Sequence, residues 1–394
     1  MSLDLSQLMP QLEHMGQAVK AREAQLRAAI PGWMEQLERT AARDRQELLQ
    51  KIARAGERWP GARPTEEPIN AQFPPPQGLD NLHVVAADGS QIYPDRQDLA
   101  LYYVINIGCI TIRYGQGAAP QTHVEATLFH EDQDLFSPSD GLVSDELVDG
   151  RRDLLEMSAL ADAAEKETGA KCLALLDGNL LLWLALRMQD HPRQDVDQIR
   201  DQYLQQMTRI RDAGAALAGV IDRPRNANVL TLLRLDQMPL DAINQDTARL
   251  NPTPGWTDEA LIAPTLAPGY RSACFAYTSP LNQIFRLRGH EVWFFYLRPG
   301  PGAQIARVEV PEWVGRDPQA LSMVHAGLLF QGRDTGGFPY TLVRAHELAV
   351  IGVQERQTFT ALLEQTLLRN GLPANRSQKA QTKRWTGARR RHRL

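Results

Sequence analysis

The sequence predicts an α/β protein, a mixed sheet flanked by helices, with a helical arm at the N-terminus. Three observations carry this. Over residues 81–371, short β-branched apolar runs alternate with amphipathic helical stretches. Two of the apolar runs end in an Asp-Gly pair, at Asp88-Gly89 and Asp177-Gly178. The first 57 residues instead show only helical spacing. A chain of 394 residues, 43% hydrophobic and 23% charged, has the composition of a folded soluble protein and exceeds one minimal domain.

The elements follow in order. In residues 2–57, Leu5, Leu8, Leu12 and Met15, then Leu26, Ile30, Met34 and Leu37, recur at three and four spacings. Pro10 and Pro31-Gly32 are expected to break this arm into pieces, as an antiparallel helical hairpin, a partner-facing arm or a core-packing helical cap. Residues 58–80 hold six prolines and no apolar periodicity, so they read as a linker. The main domain, 81–371, opens with three strands at 82–88, 100–113 and 122–129, the first stopped by Gly89-Ser90. A helix over 146–168 ends at Gly169, and a buried strand follows over 171–177. Next come a helix over 197–218, a strand over 219–222 and a loop-rich stretch over 236–272. Strands at 291–297 and 304–310 and helices at 318–331 and 339–371 close the domain, leaving 372–394 as a tail. Stripped of insertions, the order β-β-β-α-β-α-β with a late helix is that of the RNase H-like fold, which by itself guides function weakly.

Several classes are excluded. No apolar run reaches the roughly 18 residues a membrane span needs. The N-terminus lacks the basic and apolar regions of a secretory signal. Cys109, Cys172 and Cys274 form no CxxC, which argues against structural zinc or a disulfide framework and fits a reducing, cytoplasmic setting. The net charge of −4 hides a basic tail with eight Lys or Arg from Arg376 to Leu394, leaving an acidic remainder. Such a tail suits a polyanion or simply a solvated end.

The two Asp-Gly pairs repeat one arrangement, a carboxylate at a strand end beside a glycine that permits close approach. Each could be an ordinary turn. If the first and fourth strands are neighbours, however, Asp88 and Asp177 lie side by side. Glu156 on the intervening helix would add a third carboxylate, with Asp153 and Glu146 as competitors. On the late helix, His346 is the histidine placed to reach the same end, with Glu347 beside it. Three oxygen donors and an imidazole suit Mn²⁺ or Mg²⁺ better than zinc. Such sites hold two ions about 4 Å apart around an in-line displacement at phosphorus.

The motifs VVAADGSQ, LALLDGNL, AGVIDRPRN and PYTLVRAHELAVIG, in that order, resemble the NurA nuclease family. The resemblance spans roughly residues 84–371 and implies an RNase H-like fold. It also implies Mn²⁺-dependent DNA degradation at ends, a homodimer, and work beside a HerA-type hexameric translocase. It implies metal and catalytic roles for Asp88, Glu156, Asp177 and His346, with Glu156 matched only by its position before the second aspartate. The family's basic strand carries Lys before Arg-Pro. Here Asp222 stands there, although Arg223 and Arg225 remain as DNA contacts. Asn179 is a milder departure in the second motif.

The leading expectation is therefore a metal-dependent deoxyribonuclease, cutting single strands internally and trimming 5′ to 3′. An inactive DNA-binding module and a scaffold subunit of a motor complex are the alternatives. Tyr93, Tyr102 and Tyr103 are candidates to stack bases, with one of the adjacent pair facing the core. Lys383, Arg384, Arg389 and Arg390 in the tail would contact phosphates without reading sequence. Removing residues 376–394 is expected to lower affinity for single-stranded DNA and to flatten its salt dependence, by roughly 0.7 log units for each phosphate the tail had neutralised. Titrations of the full and truncated chains at several salt concentrations check this. Identical slopes would show that the tail does not touch DNA.

Overall fold

The computed structural model describes residues 5–78, 80–136, 141–182, 193–246, 255–302 and 304–372. The strands, numbered along the chain, are β1 (Ala62–Pro64), β2 (Gln72–Phe73), β3 (Leu82–Ile92), β4 (Tyr103–Arg113), β5 (Gln121–Phe129) and β6 (Lys171–Asp177). They continue as β7 (Ala216–Ile221), β8 (Arg271–Ser272), β9 (Phe275–Tyr277), β10 (Val292–Leu297) and β11 (Ala306–Pro311). The chain divides into two compact units. One comprises Met1–Gly78, Gly178–Leu180 and Ala218–Phe338; the other comprises Leu79–Asp177, Leu181–Leu217 and Pro339–Leu394.

The second unit carries the mixed sheet expected of an RNase H-like fold. Its strands run in the order β5-β4-β3-β6. β3 pairs antiparallel with β4 and parallel with β6, and β5 pairs antiparallel with β4. Residues 82–87 of β3 are all buried, as a central strand covered on both faces requires. The crossover helix Asp145–Lys166 is capped at its start by Ser144, whose hydroxyl accepts from Leu147 N–H. It packs beside the helix Arg193–Asp212, whose Arg209 pairs with Asp162 and Glu165 of the crossover helix at 2.6 Å each. The closing helix Tyr340–Ala349 lies on β3 and β4. Beyond it, Phe359 of the helix Val353–Arg369 packs on Tyr102 at 5.2 Å between ring centroids.

In the first unit, β1, β9, β10, β11 and β7 follow one another with antiparallel pairing, and β8 joins β2 to β10. Its core gathers Trp59, Leu230, Leu233, Phe275, Phe294 and Tyr296. Asp258 is fully buried, and its carboxylate accepts from Val229 N–H, Leu230 N–H and the Tyr296 hydroxyl at 2.7–3.0 Å. It thereby caps the helix Asn228–Gln237, whose own N-cap residue, Ala227, has no side chain to do so. Among the described residues no helix is long and apolar enough to cross a membrane. Cys109, Cys172 and Cys274 are buried free thiols.

Several expectations are corrected. The arm is not broken at its prolines: one helix runs Leu5–Ala41 through Pro10 and Pro31, followed by Arg45–Ala55. Residues 58–80 are not a bare surface linker, since they supply β1, β2 and the buried Trp59, Ala62 and Ile69. β3 does not stop at Gly89-Ser90 but runs on to Ile92. The helix placed at 197–218 ends at Asp212, and the strand after it begins at Ala216. The helices Asn228–Gln237 and Pro280–Leu287 were not anticipated.

Candidate active site

The parallel register of β3 and β6 places Ala87 opposite Leu176, so the next residues along the two strands are Asp88 and Asp177. Gly178, at φ +109°, turns the chain immediately after Asp177 as only glycine does readily. Its N–H donates to Val220 O at 2.9 Å. The DGN motif is therefore the strand-end turn expected of it. The DGS motif is not: Gly89 pairs with Ile107 inside the sheet.

Gly89 has a different use. A Cβ there would come within 2.6 Å of Glu156 Oε1 and 2.7 Å of Arg152 Cγ. The missing side chain is the space through which the crossover helix lays Glu156 against β3. Successive strand residues face opposite ways, and the other face is used similarly. Gly108 pairs with Asp88, and a Cβ on it would lie 2.7 Å from Ala345 O, Ala349 N and Leu348 Cβ. The closing helix thus rests on bare backbone. Ser90 Oγ and Asn106 Nδ2 both donate to Ala349 O, at 2.5 and 2.7 Å, and fix its end. This seating brings His346 Nδ1 to 2.7 Å from Asp88 Oδ2. The ring is 62% exposed against 15% for the Asp88 side chain, so it covers the aspartate from the solvent side.

Glu156 is buried, and its carboxyl is pushed well above the usual range by that burial first. Asp153 adds to the shift, Arg152 opposes it, and Asp88 and Asp177 raise it further. Arg152 Nε lies 3.1 Å from Glu156 Oε1, a charge contact rather than an aligned hydrogen bond, because that nitrogen has no hydrogen-bond partner. Arg152 also reaches Asp153 at 2.9 Å, Asp149 at 3.7 Å and Gln91 Oε1 at 3.0 Å. The Tyr93 hydroxyl donates to Asp149 at 2.6 Å and closes this network.

The structure thus gathers Asp88, Glu156, Asp177 and His346, which the sequence singled out. Among their competitors, Glu146 is exposed in the first helical turn, and Glu347 is exposed and ion-paired with Arg344. Asp153 is half-buried and held by Arg152. Tyr102 and Tyr103 are not base platforms, because both are buried, Tyr102 on Phe359 and Tyr103 stacked at 4.5 Å on Phe129. Tyr93 is half-buried in the Arg152 network. Arg223 and Arg225 are exposed in the first unit. Lys383, Arg384, Arg389 and Arg390 lie outside the described residues. Sequence reasoning missed Arg152, although its place four residues before Glu156 on one helix face was a usable signal.

The donor chemistry fits a hard divalent cation. Glu156 lies near enough to Asp88 and Asp177 that, after burial and Asp153, both add to the rise of its carboxyl. Gly89 leaves the cradle that a Cβ would fill. Among the described residues no three His, Cys, Asp or Glu side chains already stand as a formed ligand cage. His346 engages Asp88, and Arg152 engages Glu156.

The NurA domain family matches residues 82–351, more than half of the sequence. The chain belongs to the NurA family of nucleases. No curated protein sequence matches it. Among solved structures it is similar to the NurA nuclease from Sulfolobus solfataricus, at 14% identity and TM-score 0.49, covering 90% of this chain and 98% of that one. It is similar to NurA bound to dAMP and manganese, at 15% identity and TM-score 0.40, covering 78% and 91%. It is also similar to the catalytic domain of human endonuclease V, at 14% identity and TM-score 0.30, covering 83% and 96%.

Replacing Gly108 with Ala forces the closing helix off β4, an overpacking expected to cost about 1–3 kcal/mol. Urea unfolding should show that loss. Nuclease activity of the folded fraction should fall as well, because His346 moves from Asp88. A Gly108→Ala protein of unchanged stability and activity would mean the close helix–strand contact is not required.

Proposed function

We propose that this NurA-family chain hydrolyses DNA phosphodiesters with Mn²⁺, or Mg²⁺, held by Asp88, Glu156, Asp177 and His346 as a two-ion site. The observation that carries the reading is the β3–β6 register, which sets Asp88 beside Asp177. A bound divalent ion supplies Lewis acidity and a water acidic enough to attack phosphorus. The chain's own groups do the rest. Asp88 and Asp177 present carboxylates at neighbouring strand positions. Glu156 closes the site from the crossover helix. His346 is oriented through Nδ1 by Asp88, so Nε2 is the nitrogen that faces a metal or a substrate proton.

Replacing Asp88 or Asp177 with Asn keeps the shape and removes charge. Cleavage of labelled single-stranded DNA in Mn²⁺ should fall roughly a thousandfold or more, the rate equivalent of several kcal/mol of lost metal stabilisation. Melting temperature should stay near wild type. A folded Asp88→Asn protein that cuts at the wild-type rate would overturn the assignment, as would cleavage that persists in chelator.

The family resemblance supports the finer reading. It points to single-strand endonuclease and 5′-to-3′ exonuclease action at DNA ends, in repair or defence, by a homodimer working with a HerA-type hexameric translocase. The N-terminal helix supports an assembly role, because Leu5, Met9, Leu12, Met15 and Val19 are all exposed along it. A deletion meant to test this must stop before the buried Gln36, Leu37 and Thr40. Removing residues 1–24 should weaken self-association or translocase binding and leave the melting temperature of the remainder unchanged. Unaltered mass by light scattering together with full stimulation by the translocase would refute the role.

A further inference from the structure

The turn after β7, Asp222-Arg223-Pro224-Arg225, is held in an unusual conformation. Arg223 has φ +50°, a region that non-glycine residues seldom enter and that often marks a functional site. Its Nε donates to Gln304 Oε1 at 2.7 Å. The turn borders a cavity of about 730 Å³ that lies wholly within the first unit. Three guanidinium groups line it, Arg223 and Arg225 from the turn and Arg22 from the N-terminal helix, against one carboxylate, Glu259. Burial, then Asp222, pushes the Glu259 carboxyl up, and Arg223 draws it back. Among the described residues Arg22 and Arg225 make no ion pair or hydrogen bond.

Most of the remaining polar groups of the lining are already engaged. Asn228 donates to Pro60 O at 2.8 Å and accepts from Arg307 at 2.9 Å. Thr231 Oγ1 donates to Ala227 O at 2.6 Å, and Thr257 Oγ1 accepts from Ala260 N–H at 3.3 Å. What the cavity offers a ligand is therefore positive charge and the half-buried indole of Trp256. Trp33 packs edge-on against that indole, at 5.9 Å and 62°, and fixes its plane.

We propose that this cavity is a second contact for the DNA strand, separate from the carboxylate site. Arg22, Arg223 and Arg225 take backbone phosphates, and Trp256 stacks on one unpaired base. Paired bases do not present a free face, so the contact selects single strands. Phosphate contacts and stacking on a base face do not read base edges, so the contact is indifferent to sequence. The inference rests on the nuclease reading only for the identity of the polymer.

The test measures binding without metal, in EDTA, using the Asp88→Asn chain and a fluorescein-labelled oligo(dT) followed by anisotropy across a salt series. Arg22→Gln and Arg225→Gln are each expected to weaken binding and to reduce the salt slope by roughly 0.7 log units per log unit of salt. Trp256→Leu should weaken binding roughly fivefold or more with the slope unchanged, and Trp256→Phe should restore most of it. Unchanged affinity and slope in the Arg22→Gln/Arg225→Gln chain, with an unchanged melting temperature, would overturn the proposal. So would competition by dTMP or inorganic phosphate as effective as that by unlabelled oligo(dT), which would assign the cavity to a free nucleotide or phosphate. A wild-type chain that binds this way yet fails to cut in Mn²⁺ would sink the nuclease reading and leave this one standing.

Discussion

The parallel pairing of β3 with β6 is the constraint from which the site follows. Antiparallel neighbours can be joined by a tight turn, but parallel ones need a crossover long enough to return to the starting edge. Here that return includes the helix Asp145–Lys166. The pairing that sets Asp88 beside Asp177 therefore also requires a helix packed over β3, and this is the helix that carries Glu156 and Arg152. Two glycines then set the layer spacing. Gly89 admits the Glu156 carboxylate on one face, and Gly108 admits the backbone of the closing helix on the other. Any larger residue at either position would hold a layer away from the strand it serves.

Much of this was legible in the sequence, for local reasons. The run KCLALLD is apolar, bounded and followed by a glycine with positive φ, and it forms a strand over the residues expected. The same local logic misread Asp88-Gly89-Ser90. Gly89 is present for a tertiary contact with Glu156, which no neighbouring residue announces, so a mid-strand glycine looked like a turn. The prolines of the N-terminal helix misled in another way. Pro10 and Pro31 each remove a backbone donor, but this stretch is largely exposed, and water can satisfy the carbonyls left over. In sequence, one of Tyr102 and Tyr103 reads as an exposed aromatic and the other as core. Only the packing of Phe359 and Phe129, distant along the chain, shows that both are core.

The N-terminal helix is tied to the first unit by charge as well as by packing. Asp236 is fully buried and would be costly there alone. It accepts from Gln36 at 3.2 Å and Thr40 at 2.9 Å, both on that helix, and from Arg43 Nε at 2.9 Å, while Lys51 from the next helix lies 3.3 Å away. A buried carboxylate with this many directed donors fixes register more strictly than apolar contact, because a one-turn slip would leave it unpaired. The apolar residues at the far end of the same helix meet no such partner within the described chain. The arm is thus clamped at its C-terminal end and carries one stripe of exposed apolar residues, Leu5, Met9, Leu12, Met15 and Val19, toward the other.

The position of Arg152 bears on how the carboxylate cluster tolerates itself. Glu156 is buried among Asp153, Asp88 and Asp177, and a charge held there is opposed by each of them. One guanidinium relieves part of this, but its Nε contact with Glu156 is poorly aligned, whereas its contact with Asp153 is a hydrogen bond of 2.9 Å. Arg152 is thus hydrogen-bonded to Asp153 and Gln91, whereas Glu156 is its largest charge partner without an aligned hydrogen bond. A cation that engaged Glu156 would leave Arg152 still hydrogen-bonded to the other two. Leaving a buried guanidinium wholly unpaired would cost several kcal/mol. The arrangement avoids that state on either side of such an exchange, with Asp149 and Asp153 available to the arginine throughout. The acidic residues Asp149 and Asp153 thus keep the arginine paired independently of Glu156.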